Sequence, residues 1–229
     1  MSIRGAVFDL DGTITDNMAF HVEAFAVFAE RHGLPPLDLT MRARLDGKRN
    51  RDIFPILFER ELSEDALARY SDEKEALYRE LSRGRLAPLP GLVRLLDALD
   101  ARGAKIAIAT SAPAANVPHT LGQLGLEARL TRVARSDQVG RGKPAPDVFL
   151  AAAELIGVAA ADCVAFEDAP LGVVAARAAG MQCVAITTSF SLEGLIAHAA
   201  APDFAVADFD EYLAGPGAWL AEPKAGFAP

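Results

Sequence analysis

From about Gly91 to Val206 the chain alternates helical patterns with short apolar runs, and this alternation limits the folds open to it. Leu92 to Leu99 has helical spacing and stops at Gly103; Lys105-Ile106-Ala107-Ile108-Ala109 follows as a strand. Asn116 to Leu124 forms a helix ended by Gly125, Leu130 to Ala134 a weaker strand, and Asp147 to Ile156 a helix ended by Gly157. Cys163-Val164-Ala165-Phe166 is a strand, Val173 to Ala179 a helix, Cys183-Val184-Ala185-Ile186 a strand, and Phe204-Ala205-Val206 one more. Strands that alternate with helices must pair in parallel through crossovers, with helices covering both faces of the sheet. The apolar run Gly5-Ala6-Val7-Phe8 is expected to join that sheet from the far end of the chain.

Between the first strand and the rest lies a stretch of another character. Met18, Val22, Phe25 and Ala29 share one helical face, which Gly33 and Pro35-Pro36 close, and Ile53 to Leu62 and Glu64 to Leu81 continue in helical style. The expected architecture is α/β: a Rossmann-like parallel sheet core formed by residues 1–16 and 87–229, with a helical cap inserted over residues 17–86. The tail after Gly215, rich in Gly, Pro and Ala, is expected to be loosely held.

The 229 residues suffice for a full core, and a formal charge of −8 argues against nucleic acid or an anionic membrane as the main partner. An anionic substrate would need a local positive pocket. Cys163 and Cys183 sit in apolar runs and read as reduced core thiols. Asp9 and Asp11 interrupt the N-terminal apolar stretch, so no signal peptide is read there, and no apolar run is long enough to span a bilayer. A cytoplasmic enzyme, monomeric or weakly homo-oligomeric, is the expectation.

The polar residues that stand out all follow strands. Asp9-Leu10-Asp11-Gly12-Thr13 places two acids just past the first strand. Carboxylates there are costly to bury unless they meet a cation or donors, and strand carboxyl ends are where open α/β sheets bind ligands. The chemical reading is a metal-assisted site with one carboxylate as nucleophile and the other as proton shuttle; the plain reading is a polar turn. Thr110-Ser111-Ala112-Pro113 fits a helix N-cap or a phosphate cradle. Lys143, between Gly142 and Pro144, is either a solvated loop lysine or an ammonium fixed over a carboxylate–phosphate pair. Glu167-Asp168 repeats the acid pair after Phe166; it suits Mg²⁺, or Asp168 caps the next helix. Together the four strand ends supply nucleophile, anion cradle, positive charge and metal, as phosphoryl transfer requires.

The ordered set Asp-x-Asp-Gly-Thr, Thr-Ser, Lys-Pro and Glu-Asp resembles the haloacid dehalogenase superfamily, and the helical insert resembles the caps of its β-phosphoglucomutase and phosphoglycolate phosphatase members. The resemblance implies Asp9 as the nucleophile that becomes an aspartyl phosphate. It implies Asp11 as acid and then base, and Ser111 and Lys143 as holders of the phosphoryl group. Mg²⁺ would be bound by Asp9, the Asp11 carbonyl and Asp168, with Glu167 nearby. Thr110 and Asn116 would touch phosphate. Asp11 argues against true dehalogenases and phosphonate cleavage.

In the cap, His21 resembles the histidine that the mutase places near its acid/base aspartate, although Phe25 and Phe28 also allow it to be a packed core residue. Asp46-Gly47-Lys48-Arg49-Asn50-Arg51 resembles the substrate loop, with Lys48, Arg49 and Arg51 as candidate substrate contacts, or else forms a solvated face. Asp46 stands where the mutase has lysine, which weakens the mutase reading. The expectation is a Mg²⁺-dependent phosphatase of a small phosphorylated metabolite of the sugar phosphate kind. The alternatives are an intramolecular phosphotransferase of the β-phosphoglucomutase kind and a non-catalytic binding protein on the same fold.

Overall fold

The computed structural model describes residues 3–37, 41, 45, 48–198 and 201–220. Six parallel strands form one sheet in the order β3-β2-β1-β4-β5-β6: β1 (Gly5–Phe8), β2 (Lys105–Thr110), β3 (Val133–Arg135), β4 (Cys163–Glu167), β5 (Gln182–Ile186) and β6 (Phe204–Val206). The first strand is central, paired with β2 on one side and β4 on the other. The chain winds outward from β1 to β3, then returns to β4 and winds the other way. The switch point therefore lies at the carboxyl end of β1, where an open sheet leaves a crevice for ligands.

Strand side chains alternate between two unlike faces. Phe8, Ile108, Phe166 and Val184 pack beneath α4 (Leu92–Arg102), α5 (Asn116–Leu124) and α9 (Phe209–Ala214). Phe8 stacks on Phe166 at 4.7 Å, and both meet Phe209 edge-on. The opposite face carries Ala107, Ala109, Ala165 and Ala185, met by Ala152 and Ala153 of α6 (Asp147–Ile156) and Ala175 and Ala176 of α7 (Pro170–Ala178). Small residues on both sides bring those helices close to the sheet, and native packing density fixes where the strand ends lie. Cys163 and Cys183 are free and buried on this face, and burial pushes the Cys163 thiol up to about 11.

The inserted stretch holds α1 (Met18–Arg31), α2 (Asn50–Leu57) and α3 (Glu64–Leu81). Its apolar cluster is its own: Ala24, Phe28, Phe54, Leu67, Leu77 and Tyr78. The start of α3 is well specified, with Ser63 Oγ accepting from Ala66 N at 3.3 Å and two acids in the first turn. The helix expected over Ile53–Leu62 instead begins at Asn50 and ends at Leu57. Phe58 turns inward to stack on Tyr70 at 4.6 Å, and Glu59 takes a left-handed φ of 50°. Several strands also run a residue beyond their expected limits, while β3 sits later, at Val133–Arg135.

Near the end of the chain α8 (Leu192–Ala197) follows β5, and a short 3₁₀ turn covers Ala218–Leu220. That turn is held to the core: Leu220 is buried, and the Arg102 guanidinium donates to the Trp219 carbonyl. The loosely held tail was expected from Gly215, and residues 221–229 lie outside the described residues. Among the described residues no helix is long and apolar enough to cross a membrane.

Candidate active site

Parallel register sets the site. Phe8 is level with Ile108 on one side and Phe166 on the other, so Asp9 emerges beside Glu167, the last residue of β4. Asp9 N donates to the Phe166 carbonyl at 2.9 Å, which carries the pairing one residue past the strand. Asp168 follows Glu167, and one oxygen from each of Asp9, Glu167 and Asp168 lies within 4.8 Å of the others.

Such a cluster of buried acids needs positive charge, and Lys143 supplies part of it. Its Nζ donates to Asp9 Oδ1 at 2.6 Å and to Glu167 Oε1 at 2.5 Å. Burial alone would lower the ammonium's pKa; the two carboxylates outweigh burial and hold it above its ordinary value. Glu167 Oε2 accepts from Ala169 N at 2.7 Å, so both of its oxygens are engaged. Asp168 Oδ1 accepts from Thr13 Oγ1 at 3.3 Å and Oδ2 from Ser189 Oγ at 2.5 Å. Gly12, at φ 78°, lies flat against that carboxylate, which a Cβ would overlap. Asp168 does not cap α7; the cap position is Ala169, with Pro170 opening the helix.

The charge is still not balanced. Burial, with Glu167 and Asp11 adding to it against Lys143, pushes Asp9 up to about 8. Burial and the charges of Glu167 and Asp9 push Asp168 well above the ordinary carboxylate range. Three carboxylates with oxygen donors only, in excess of their cations, fit a hard divalent cation.

Asp11 lies across the mouth, tied to the inserted helices. Its Oδ1 accepts from Asn17 Nδ2 at 2.6 Å, and its Oδ2 lies 3.5 Å from His21 Nε2. Burial acts upward on this carboxyl, but His21 and Asn17 outweigh it, and the net shift is downward. The His21 ring stacks on Tyr78 at 3.8 Å. Its Nδ1 lies 2.8 Å from Lys74 Nζ. Nδ1 thus faces Lys74 and Nε2 faces Asp11. Nε2 is buried and makes no hydrogen bond among the described residues.

Lys74, Glu75, Asn17 and Tyr78 were not among the residues singled out from sequence. Lys74 and Glu75 are buried side by side at 2.9 Å. Glu75 also accepts from Asn50 Nδ2 at 2.7 Å and Asn116 Nδ2 at 2.6 Å, and Lys74 with these donors overcomes burial to hold its carboxyl at about 2. A signal was present: Leu67, Tyr70, Lys74, Leu77, Tyr78 and Leu81 repeat at helical spacing, and a lysine inside an apolar stripe calls for a partner.

The remaining candidates divide. Thr110, Ser111, Lys48 and His21 line the pocket together with Asp9, Asp11, Lys143, Glu167 and Asp168. Thr110 Oγ1 accepts from Ala112 N at 2.9 Å, and Ser111 Oγ lies 3.2 Å from Ser136 Oγ. Neither caps a helix, because α5 starts only at Asn116. Three expected substrate contacts are engaged elsewhere. Asn116 is wholly buried, donating to Glu75 and accepting from Arg79 at 2.8 Å. Arg49 is forked onto Asp52, with Nη1 3.4 Å from the Ser136 carbonyl. Arg51 reaches the exposed Glu64 at 2.9 Å. In each case a nearer acceptor or donor claims the side chain. Asp46 and Gly47, the start of the expected substrate loop, lie outside the described residues.

A parallel sheet with an acidic cluster at its switch point defines a ligand-binding α/β frame, and residues 3–180 match the haloacid dehalogenase-like hydrolase family; the chain belongs to it. It is 34% identical over 195 residues to the β-phosphoglucomutase of Bacillus subtilis (strain 168), covering 80% of this chain and 83% of that one. It is 36% identical over 183 residues to fructose-1-phosphate phosphatase YqaB of Escherichia coli (strain K12), covering 79% and 94%. A family IA variant 3 hydrolase of the haloacid dehalogenase type from Entamoeba histolytica superposes with a TM-score of 0.81 at 28% identity, covering 92% of this chain and 95% of that one.

Proposed function

We propose that the protein is a Mg²⁺-dependent phosphatase of a small phosphorylated metabolite, of the sugar phosphate kind that its relatives' names state, working through an aspartyl phosphate on Asp9. The observation that carries this reading is the convergence of Asp9, Lys143, Glu167 and Asp168 at the switch point, with Asp11 and His21 facing them from the mouth. Residues 17–86 act as the cap and residues 1–16 and 87–229 as the catalytic core.

Asp9 attacks phosphorus with its Oδ2, and the bond to the ester oxygen breaks. Asp11, which must first take up a proton from solvent because His21 and Asn17 favour its ionised form, gives that proton to the leaving oxygen. In the second step Asp11 takes a proton from water, whose oxygen attacks phosphorus and frees Asp9. His21, held by Lys74 at Nδ1, keeps Nε2 3.5 Å from Asp11 Oδ2 and helps place that carboxyl. Lys143, Thr110 and Ser111 receive the phosphoryl oxygens. Mg²⁺, held by Asp9, Asp168 and the Asp11 carbonyl, would neutralise charge developing on the phosphoryl group. Glu167 acts through Lys143, which it holds against Asp9.

Likeness to a β-phosphoglucomutase favours one other reading, intramolecular phosphotransfer. That reaction grips a second phosphate, whereas Arg49 and Arg51 are held by acids of the cap. A phosphate-release screen over a panel of phosphorylated metabolites, with and without a sugar bisphosphate, tests the choice. A phosphatase releases inorganic phosphate unprimed; a mutase needs the bisphosphate and returns an isomer.

A further inference from the structure

Just past β5 the chain carries three hydroxyls in a row, Thr187-Thr188-Ser189, and each reaches a different part of the sheet's carboxyl edge. Thr187 Oγ1 donates to the Val206 carbonyl of β6 at 3.3 Å. Thr188 Oγ1 donates to the Gly12 carbonyl at 2.5 Å, which takes it past β4 to the loop that follows β1. Ser189 Oγ donates to Asp168 Oδ2 at 2.5 Å. The two threonines tie this loop to β6 on one side and to the β1 loop on the other, and so anchor Ser189 beside Asp168.

Asp168 differs from its two acidic neighbours in what it meets. Asp9 and Glu167 share the Lys143 ammonium, whereas the hydrogen bonds to the Asp168 carboxylate come from the hydroxyls of Thr13 and Ser189. A hydroxyl orients a carboxylate without cancelling its charge; an ammonium in its place would compete with a divalent cation. A carboxylate has about four lone-pair sites, and two hydroxyls leave about half of them open. Thr13 reaches Oδ1 only at 3.3 Å, so Ser189 is the tighter hold, and Gly12 closes off the space beside Oδ2. We propose that Ser189 is a positioning residue for the cation: by holding Oδ2 it fixes the rotation of the Asp168 carboxylate and so sets how tightly that carboxylate grips Mg²⁺. This rests on the Mg²⁺ part of the proposed function. It adds the end of β5 to the four strand ends that the sequence motifs mark.

Calorimetric titration of Mg²⁺ into the substrate-free protein tests it. Ser189→Ala should raise the Kd for Mg²⁺ by about 10- to 100-fold, the usual cost of losing a group that orients a metal ligand. Ser189→Thr keeps the hydroxyl and should retain most of the affinity. Ser191→Ala is the control within the same loop. Its hydroxyl accepts from Gly194 N at 3.2 Å at the start of α8, so its loss should lower the melting temperature and leave the Kd for Mg²⁺ unchanged. Thermal melts give a second readout. The rise in Tm on adding Mg²⁺, taken from each variant's own melt in EDTA, should be smaller for Ser189→Ala than for the wild type. Referring each rise to the metal-free melt removes any general loss of stability. If the wild type binds Mg²⁺ and Ser189→Ala binds it equally well, the inference is wrong and the metal reading stands. The same holds if Ser191→Ala weakens binding as much as Ser189→Ala, or if Ser189→Thr loses as much. If the wild type takes up no Mg²⁺ and releases phosphate in excess EDTA, the metal reading falls and the inference with it.

Discussion

The Lys74–Glu75 pair gives the most quantitative test of how the inserted helices are held together. Lys74 is 2% and Glu75 3% exposed, so their charges are little screened. Glu75 is held at about 2 instead of its usual 4.5. That difference favours the ionised carboxylate by about 3 kcal/mol. Because the folded value is depressed, the contribution is complete above about pH 4.5 and fades as pH falls toward 2. Lys74→Met keeps the aliphatic stem and removes the cation, leaving a buried carboxylate with only its two asparagine donors. We expect a loss of about 3 kcal/mol at pH 7, measured by urea denaturation followed by far-UV circular dichroism. The deficit should shrink at pH 5, because an uncompensated buried carboxyl takes up a proton there. Adding Glu75→Gln should restore at least about 1 kcal/mol by removing the orphaned charge. A loss below about 1 kcal/mol at pH 7, or a double variant as damaged as the sum of the singles, would refute the pairing argument.

Three further expectations concern chemistry and the cap surface. Gly12→Ala should abolish turnover, because its Cβ overlaps the Asp168 carboxylate at φ 78°; Gly103→Ala, also at positive φ but with no neighbour in reach, should cost about 1 kcal/mol of stability and leave kcat unchanged, so steady-state kinetics and thermal melts of the two variants separate strain from crowding. Chelation should stop phosphate release and Mg²⁺ restore it; in a Mg²⁺ titration Asp168→Ala should demand far more metal, whereas Glu167→Gln, acting through Lys143, should lower kcat with a smaller change in metal demand, and matching titrations would overturn that division. Arg51→Ala should change kcat/KM less than about twofold on every substrate, since its partner is the exposed Glu64 and such pairs contribute little; a larger loss would place Arg51 in the site after all.

The fold was legible because its signals are local. Apolar runs at Ala6–Phe8, Lys105–Ala109 and Cys163–Phe166, with glycines stopping the helices at 103, 125 and 157, state a parallel sheet with covering helices. The acid pairs and Lys143 were legible for the same reason: each follows a strand, and strand ends converge in this architecture. The partners that the cap and Asn116 side chains take were harder to read. Nothing in Asn116 announces that Glu75, 41 residues earlier, will claim its amide. Arg49 and Arg51 read as substrate contacts or a solvated face, and the structure sets Asp52 and Glu64 beside them. Asp168 reads equally as a cap or a ligand until α7 is seen to begin at Pro170. Lys74 was readable and missed: a charged residue in the apolar stripe of α3 already required a buried partner.

Covalent transfer to Asp9 is the centre of the account, and rapid quenching tests it most directly. The protein is mixed with an excess of a phosphate ester that it hydrolyses, stopped in acid during the steady state and reduced with borohydride, which converts an aspartyl phosphate to homoserine. Peptide mass spectrometry should find homoserine at position 9 in the wild type. Asp9→Asn should show neither homoserine there nor phosphate release. Homoserine at another aspartate, or continued phosphate release by Asp9→Asn near the wild-type rate, would contradict it.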